Sequence, residues 1–468
     1  MAPPQKKKLA FALLILAYFL YFNWEGVWAH FTADDMMNID QYWRLGSGRL
    51  LLEQFMPWRG PYRPMAGLFY MPIFHAYGLN PVPYHAVLLA LLTFNLYLMY
   101  RFARRVGAGE LQAGIATLIV AYHAGLSMLY YSTAFIYDVL CFTFYMAAFV
   151  CYARVRAQGR ALRAGECALV LGLYLCALNS KEMALTLPVT FLIYELFCAS
   201  RKGLRLTSVA LPIVLAGVLN VVYIYGKVFG PTPLLNANGY HPVYTVHQFF
   251  AAHRVYMDEL FLSWGSFTWR SVVAVWLLLI YLAWRRPSPA LRFCCVFLMI
   301  TPLPIVFLEG RSAACLYIPL AGWAVFAAVV LTDVARAAAN FLANEPLFHR
   351  LGRSGLLAAV LVASLFLWAK QNDDRRREFV RAAMADVGRL TWQTIEQLRV
   401  LHPHLEPHSQ AVFLHDPFVD WDMAFIADLW FDDLTLQFHI QRLTPISEEE
   451  QRKMHVFDFQ DGRLVQLR

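Results

Sequence analysis

About eleven apolar runs, most of them near the length that crosses a bilayer, fall between residues 9 and 369: 9–28, 82–101, 111–130, 135–153, 164–178, 184–199, 206–227, 270–284, 292–308, 314–334 and 354–369. In hydrocarbon the backbone N–H and C=O groups of such a run have no water to bond, so each run is expected to be a helix. Of 468 residues, 59% are hydrophobic and 15% charged, with a mean hydropathy of +0.45. That is too much apolar surface for a soluble globule. The expected fold class is an α-helical polytopic membrane protein.

The basic residues test this reading independently. Lys6, Lys7 and Lys8 precede the first run, and further groups follow at Arg101/Arg104/Arg105, Arg154/Arg156/Arg160/Arg163, Arg201/Lys202/Arg205, Arg285/Arg286/Arg292 and Arg336/Arg350/Arg353. With alternating spans every group falls on the cytoplasmic side. The formal charge of +8 is thus spent on topology, and no nucleic-acid partner is expected. The eight cysteines (141, 151, 167, 176, 198, 294, 295 and 315) all lie in or beside apolar runs. Neither a disulfide framework nor a zinc site is expected. The start of the chain also suits a cleavable signal peptide ending at Val27-Trp28-Ala29, but the apolar run continues through Tyr21 and Phe22 toward the length of a span. In both cases residue 34 lies outside the cytosol.

The same alternation gathers another set of residues on the outer face: Asp34 and Asp35 in a first outer loop over 29–66, Asp138, Asn179-Ser180-Lys181-Glu182, the loop 229–269 and Glu309-Gly310-Arg311. Ionisable groups near membrane depth are costly and mark sites or pathways, so their collection on one side predicts one outward-facing cavity. The alternatives are bland: Lys181 and Glu182 pair and snorkel, and Asp34 and Asp35 cap a helix over 36–45. Chemically, a carboxylate can take the proton of an acceptor hydroxyl while cations stabilise a departing phosphate. The loop offers Asp34 and Asp35 as bases, Arg44, Arg49, Arg59 and Arg63 as cations, and Trp43, Phe55, Trp58 and Tyr62 as anchors or stacking surfaces. An acidic pair could equally hold a divalent cation.

After residue 370 the composition changes. A helical period covers 381–401, strands are expected at 411–414, 435–438 and 455–459, and a helix at 421–431. The chain therefore divides into a membrane domain, 1–370, and a small α/β domain, 371–468, placed outside the cytosol by the span count. Asp416, Asp420, Asp422, Asp432 and Asp433 match no calcium-loop spacing and read as solvated loop acids. There is no internal repeat and no phosphate-cradling glycine loop.

Tyr62-Arg63-Pro64-Met65, continuing through Gly78-Leu79-Asn80-Pro81 to Tyr84-His85, resembles the first-loop segment of the GT-C glycosyltransferases, most closely the protein O-mannosyltransferase-like group. Ser180-Lys181-Glu182 with Leu187-Pro188 and Tyr194-Glu195 resembles that group's Lys-Glu motif. Leu316-Tyr317-Ile318-Pro319-Leu320, after Arg311, resembles its late Tyr-x-Pro motif. The resemblance covers roughly residues 9–331. It implies an inverting transferase that takes a sugar from a polyprenyl-phosphate carrier, with Asp34 as base, Asp35 beside it and Arg63 near the donor phosphate. Tyr62, Asp138, Lys181, Glu182, Arg311 and Tyr317 would complete the polar wall.

The pattern departs from the group in three places. His123-Ala124 is followed by no acid until Asp138, the group's Arg-Asp pair is here Tyr137-Asp138, and no tetratricopeptide repeats follow the last span. The partners this implies are a polyprenyl-phosphate sugar, membrane lipids and an acceptor protein or glycan. The expected setting is a bacterial inner membrane, N-terminus cytoplasmic and C-terminal domain periplasmic. A lipid-linked sugar flippase or a non-catalytic binding subunit would share the outer-face charges. A flippase, however, calls for charge along the depth of the spans and matched helix breaks in two halves.

Overall fold

A computed structural model describes residues 3–59, 63–199, 206–231, 233–234, 239–263, 265–345, 352–379 and 388–467. Every apolar run is mostly helical in its described part. Among the described residues seven helices are long and apolar enough to cross a membrane: Leu9–Trp28, Pro81–Arg105, Thr133–Arg156, Ala210–Phe229, Pro289–Val306, Ala313–Leu342 and Gly352–Phe379. Shorter apolar helices, Glu110–Ala121, Ala164–Ser180, Leu187–Phe197 and Trp269–Arg285, account for the other four runs. The chain is an integral, multi-pass membrane protein.

The run expected over 111–130 breaks after Ala121 into two short helical pieces, Ala124–Leu126 and Met128–Tyr131. Buried polar groups make that break affordable: the Ala124 N–H donates to Asn372 Oδ1 (2.8 Å), and His123 Nε2 lies 3.1 Å from the Leu260 carbonyl. Asn372 thereby meets a backbone N–H the interrupted helix leaves open, and the His123 ring meets a carbonyl in the last turn of helix Val246–Phe261. At the bundle's centre, helix Ile136–Arg156 packs on Pro81–Arg105 and Ala164–Ser180, and helix Tyr317–Leu342 packs on Glu110–Ala121 and Pro289–Ile300. The charged stretch 371–377 is the end of the last apolar helix. There Arg376 reaches Glu25 (3.1 Å) and Asp373 (2.9 Å).

The C-terminal unit is a four-stranded sheet, β1 Gln410–Leu414, β2 Gln437–Ile440, β3 His455–Gln460 and β4 Arg463–Gln466, in the order β2-β1-β3-β4. β1 runs parallel to both neighbours, with Val412 opposite His439 and Val456, and β4 closes the edge antiparallel to β3. The sequence placed β2 two residues early and missed β4, whose four residues alternate too briefly to stand out. Of the expected helix over 381–401, Arg389–Leu401 is described and 380–387 lie outside the described residues.

The tail acids are not all solvated. Asp416 and Asp422 are buried. Asp416 takes a two-pronged pair from Arg442 (3.1 and 3.2 Å), and Asp432 accepts from the Trp43 indole (2.5 Å). That last contact belongs to a helix pair: Asp422–Phe431 lies along the first-loop helix Ala33–Leu45, and Arg44 of the loop bonds both Asp40 and Asp428.

Candidate active site

The first-loop helix decides which carboxylate faces the cavity. Thr32 is its N-cap, Asp34 and Asp35 its second and third residues. Asp35 turns inward and completes a capping box: its Oδ2 accepts from the Thr32 N–H (2.8 Å) and hydroxyl (2.7 Å), and its Oδ1 from the Thr133 hydroxyl (2.5 Å). Burial pushes its pKa up, against those hydrogen bonds. One residue earlier is about 100° around the helix, so Asp34 points elsewhere. It is exposed and lines a cavity of about 510 Å³. Its pKa is raised, first by the protein around it and then by the charge of Asp35.

Around that cavity the fold collects residues that are remote in sequence: Arg63, Asp138, Lys181, Glu182 and Arg311, all named from the sequence, with Lys227, Tyr223, Tyr240, Tyr137 and Asn38. Arg63 is held in the left-handed region (φ 46°) before Pro64. Such strain in a non-glycine residue persists only where the surroundings enforce it. Here Tyr42 donates to the Arg63 carbonyl (2.9 Å), while its guanidinium reaches Glu182 (3.0 Å) and the Tyr240 hydroxyl (3.1 Å) and lies 5.0 Å from the Tyr137 ring. Lys181 Nζ sits 2.6 Å from Asp138 Oδ2. Arg311 donates to the Gly239 carbonyl (2.8 Å) and covers the Tyr240 ring at 4.4 Å.

Two named residues do not line the cavity. Asp35 is the capping residue described above, and Tyr317 is buried in the bundle against the Phe142 ring (4.2 Å). Tyr62 lies outside the described residues. The other loop cations point away: Arg49 and Arg59 pair with Glu53, and Arg44 with Asp40 and Asp428. Phe55 and Trp58 are exposed and Trp43 is bonded to Asp432.

Lys227 was missed because it ends an apolar run, where a lysine reads as an interfacial anchor. It is 6% exposed, 5.3 Å from the Tyr223 ring, and faces the cavity. The signal in the sequence was its position on the outer end of a span, where topology calls for no cation. A divalent cation shared by Asp34 and Asp35 fits poorly, since the Asp35 oxygens are already engaged. Among the described residues no group of three or more His, Cys, Asp or Glu is placed to hold a metal ion.

The cavity is thus lined by the exposed Asp34 carboxylate, by Arg63, Lys181, Lys227 and Arg311, and by Glu182 and Asp138, which pair with Arg63 and Lys181. No family model matches the chain, and no curated protein matches it in sequence. Solved structures do match in fold. The crystal structure of ArnT from Cupriavidus metallidurans bound to undecaprenyl phosphate aligns with a TM-score of 0.53 at 13% identity, over 92% of this chain and 86% of that one. The apo oligosaccharyltransferase of Archaeoglobus fulgidus aligns at 0.50 and 11% identity, over 92% of this chain and 64% of its own length. A second structure of that enzyme, tethered to an acceptor peptide containing the NVT sequon, aligns at 0.50 and 12%, over 92% and 63%. At these identities the likeness is one of fold: the chain shares the overall fold of these two proteins.

Proposed function

We propose that the protein is an inverting glycosyltransferase that moves a sugar from a polyprenyl-phosphate carrier to an acceptor hydroxyl, a protein's or a glycan's, on the non-cytoplasmic face of a bacterial inner membrane. The observation that carries this reading is the open Asp34 carboxylate sharing one cavity with Arg63, Lys181, Lys227 and Arg311. Asp34 takes the acceptor's hydroxyl proton as the oxygen attacks the anomeric carbon. The bond from that carbon to the phosphate oxygen breaks, and its electron pair leaves on the phosphate, where the cations stabilise the charge. Attack opposite the leaving group inverts the anomeric centre. The undecaprenyl phosphate bound by ArnT supports the donor class, and the positive-inside pattern supports a cytoplasmic N-terminus with the C-terminal unit periplasmic.

The test is release of polyprenyl phosphate from a panel of polyprenyl-phosphate sugars by protein in lipid, with cell-envelope acceptors. Wild type should release it and Asp34→Asn should lose about a hundredfold or more, the range of a missing general base. Asp35→Asn should lower thermal stability more than turnover. No release from any donor, with lipid-sugar binding intact, would leave a flippase or binding subunit instead.

A further inference from the structure

Two residues of the cavity wall carry polar atoms that the fold leaves without partners among the described residues. Glu182 opens the short helical turn Glu182–Thr186 between two apolar helices, and the bonding of its carboxylate is one-sided. Its Oε2 accepts from the Arg63 guanidinium (3.0 Å), whereas its Oε1 is buried and has no hydrogen-bond partner. Tyr223, on helix Leu206–Phe229, is 3% exposed, and its hydroxyl has no partner either. Both residues line the cavity that Asp34 lines. The Glu182 carboxylate is ionised: burial pushes its pKa up, but Arg63 and then Lys227, with its own backbone N–H, pull it down further, to about 2. A buried anionic oxygen without a donor is costly to keep. In a site, that cost is repaid when a ligand supplies the missing bond.

Charge limits what that ligand group is. Three carboxylates line the cavity, Asp34, Asp138 and Glu182, against its four cations. One positive charge is left over, and the single negative charge of a phosphodiester donor cancels it. Turnover keeps the balance, because the proton that Asp34 takes up offsets the second negative charge gained by the released phosphate. An ammonium group on the sugar would upset the balance and sit near the Arg63 and Lys227 charges that already act on Glu182. A sugar carboxylate would upset it in the other sense and meet Glu182 itself. A neutral hydroxyl does neither: it donates to Oε1 in a charge-assisted bond, while the Tyr223 hydroxyl donates to another sugar oxygen. Resting on the donor class proposed above, we propose that Glu182 and Tyr223 are specificity-determining residues that read hydroxyl groups of the transferred sugar, and that this sugar is neutral, with neither amine nor carboxylate.

The experiment is equilibrium binding to the full-length protein in nanodiscs, by calorimetry. The probes are short-chain polyprenyl phosphate, its glucose, mannose and galactose esters, and the monodeoxy and monoamino forms of each. It needs no turnover, so a protein that binds these lipids without transferring sugar leaves the test intact. Wild type should bind its preferred hexose ester about tenfold tighter than one of the monodeoxy forms and than every monoamino form, the scale of one hydrogen bond to a charged group. Tyr223→Phe and Glu182→Gln should each lose about tenfold on that hexose and keep their affinity for bare polyprenyl phosphate. For the hydroxyl that each residue reads, the loss from the variant and the loss from the monodeoxy form should not add, since both remove the same bond. Tyr223→Phe removes only an unbonded hydroxyl, so it carries the test if Glu182→Gln, which also weakens the Arg63 pair, does not fold. Equal losses on bare polyprenyl phosphate and on every ester would make both residues structural and overturn the proposal, as would an amino form that binds tighter than its hydroxyl parent. Failure of every probe to bind, bare polyprenyl phosphate included, would remove the donor class itself and this inference with it.

Discussion

Lys181 and Asp138 form an ion pair, Nζ to Oδ2 2.6 Å, that ties the end of helix Ala164–Ser180 to the first turn of helix Ile136–Arg156. Both partners are buried, so removing one leaves the other's charge without compensation. Lys181→Met should cost about 3–5 kcal/mol, and adding Asp138→Asn should recover most of it. Thermal unfolding in nanodiscs gives both numbers. Simple additivity of the two changes would show that the pair is not coupled.

Lys227 carries a different expectation, because it lines the cavity and lies over the Tyr223 ring. If it holds the donor phosphate, Lys227→Met should raise the donor KM about tenfold, roughly 1.4 kcal/mol, and leave the acceptor KM alone. Steady-state kinetics with each substrate varied in turn reads this directly. An effect confined to the acceptor would move Lys227 to the other side of the reaction.

Gly226 precedes that lysine and sits where the helix Leu206–Phe229 touches the first loop. A Cβ there would press on the Pro57 carbonyl and stand 2.7 Å from the Trp58 carbonyl carbon. Backbone cannot swing aside as a side chain can, so Gly226→Ala should destabilise by about 1–3 kcal/mol and weaken donor binding by displacing Lys227. Equal stability and equal donor affinity in the variant would show that the loop yields.

The junction of the C-terminal unit should respond to pH through Asp40. Burial first, and then Asp428, raise its pKa to about 6 from an ordinary 3.8, against the opposing pull of Arg44. Its folded pKa lies above its unfolded one, so between about pH 4 and 6 the folded state holds more proton and stability falls as pH rises. Asp428, raised in the same direction, adds to the slope. Thermal midpoints between pH 4 and 7 should therefore decline, and Asp40→Asn should flatten the decline. A midpoint that rises over that window would contradict the assignment.

Much of the fold was legible in the chain because the bilayer imposes simple rules. Backbone groups must be bonded within the segment, so an apolar run of sufficient length declares a helix, and basic loops declare the side. The break after Ala121 was not legible, since it depends on Asn372 arriving from a distant helix to bond the freed Ala124 N–H and on the Leu260 carbonyl meeting the His123 ring. Nor was β4, whose strand character comes from pairing on β3 rather than from its own pattern.

For the site, the sequence by itself determined which residues could do chemistry: acids and cations stranded on the outer ends of apolar helices, where only function or pairing repays their desolvation. The tertiary structure alone decided among them. Asp34 and Asp35 are neighbours with equivalent chemistry, and only the helix that Thr32 caps turns one toward the cavity and the other into Thr133. Lys227 and Tyr240 were indistinguishable from anchors and loop residues until packing placed them around the cavity. Side-chain direction and long-range proximity are properties of packed helices, and local composition does not carry them.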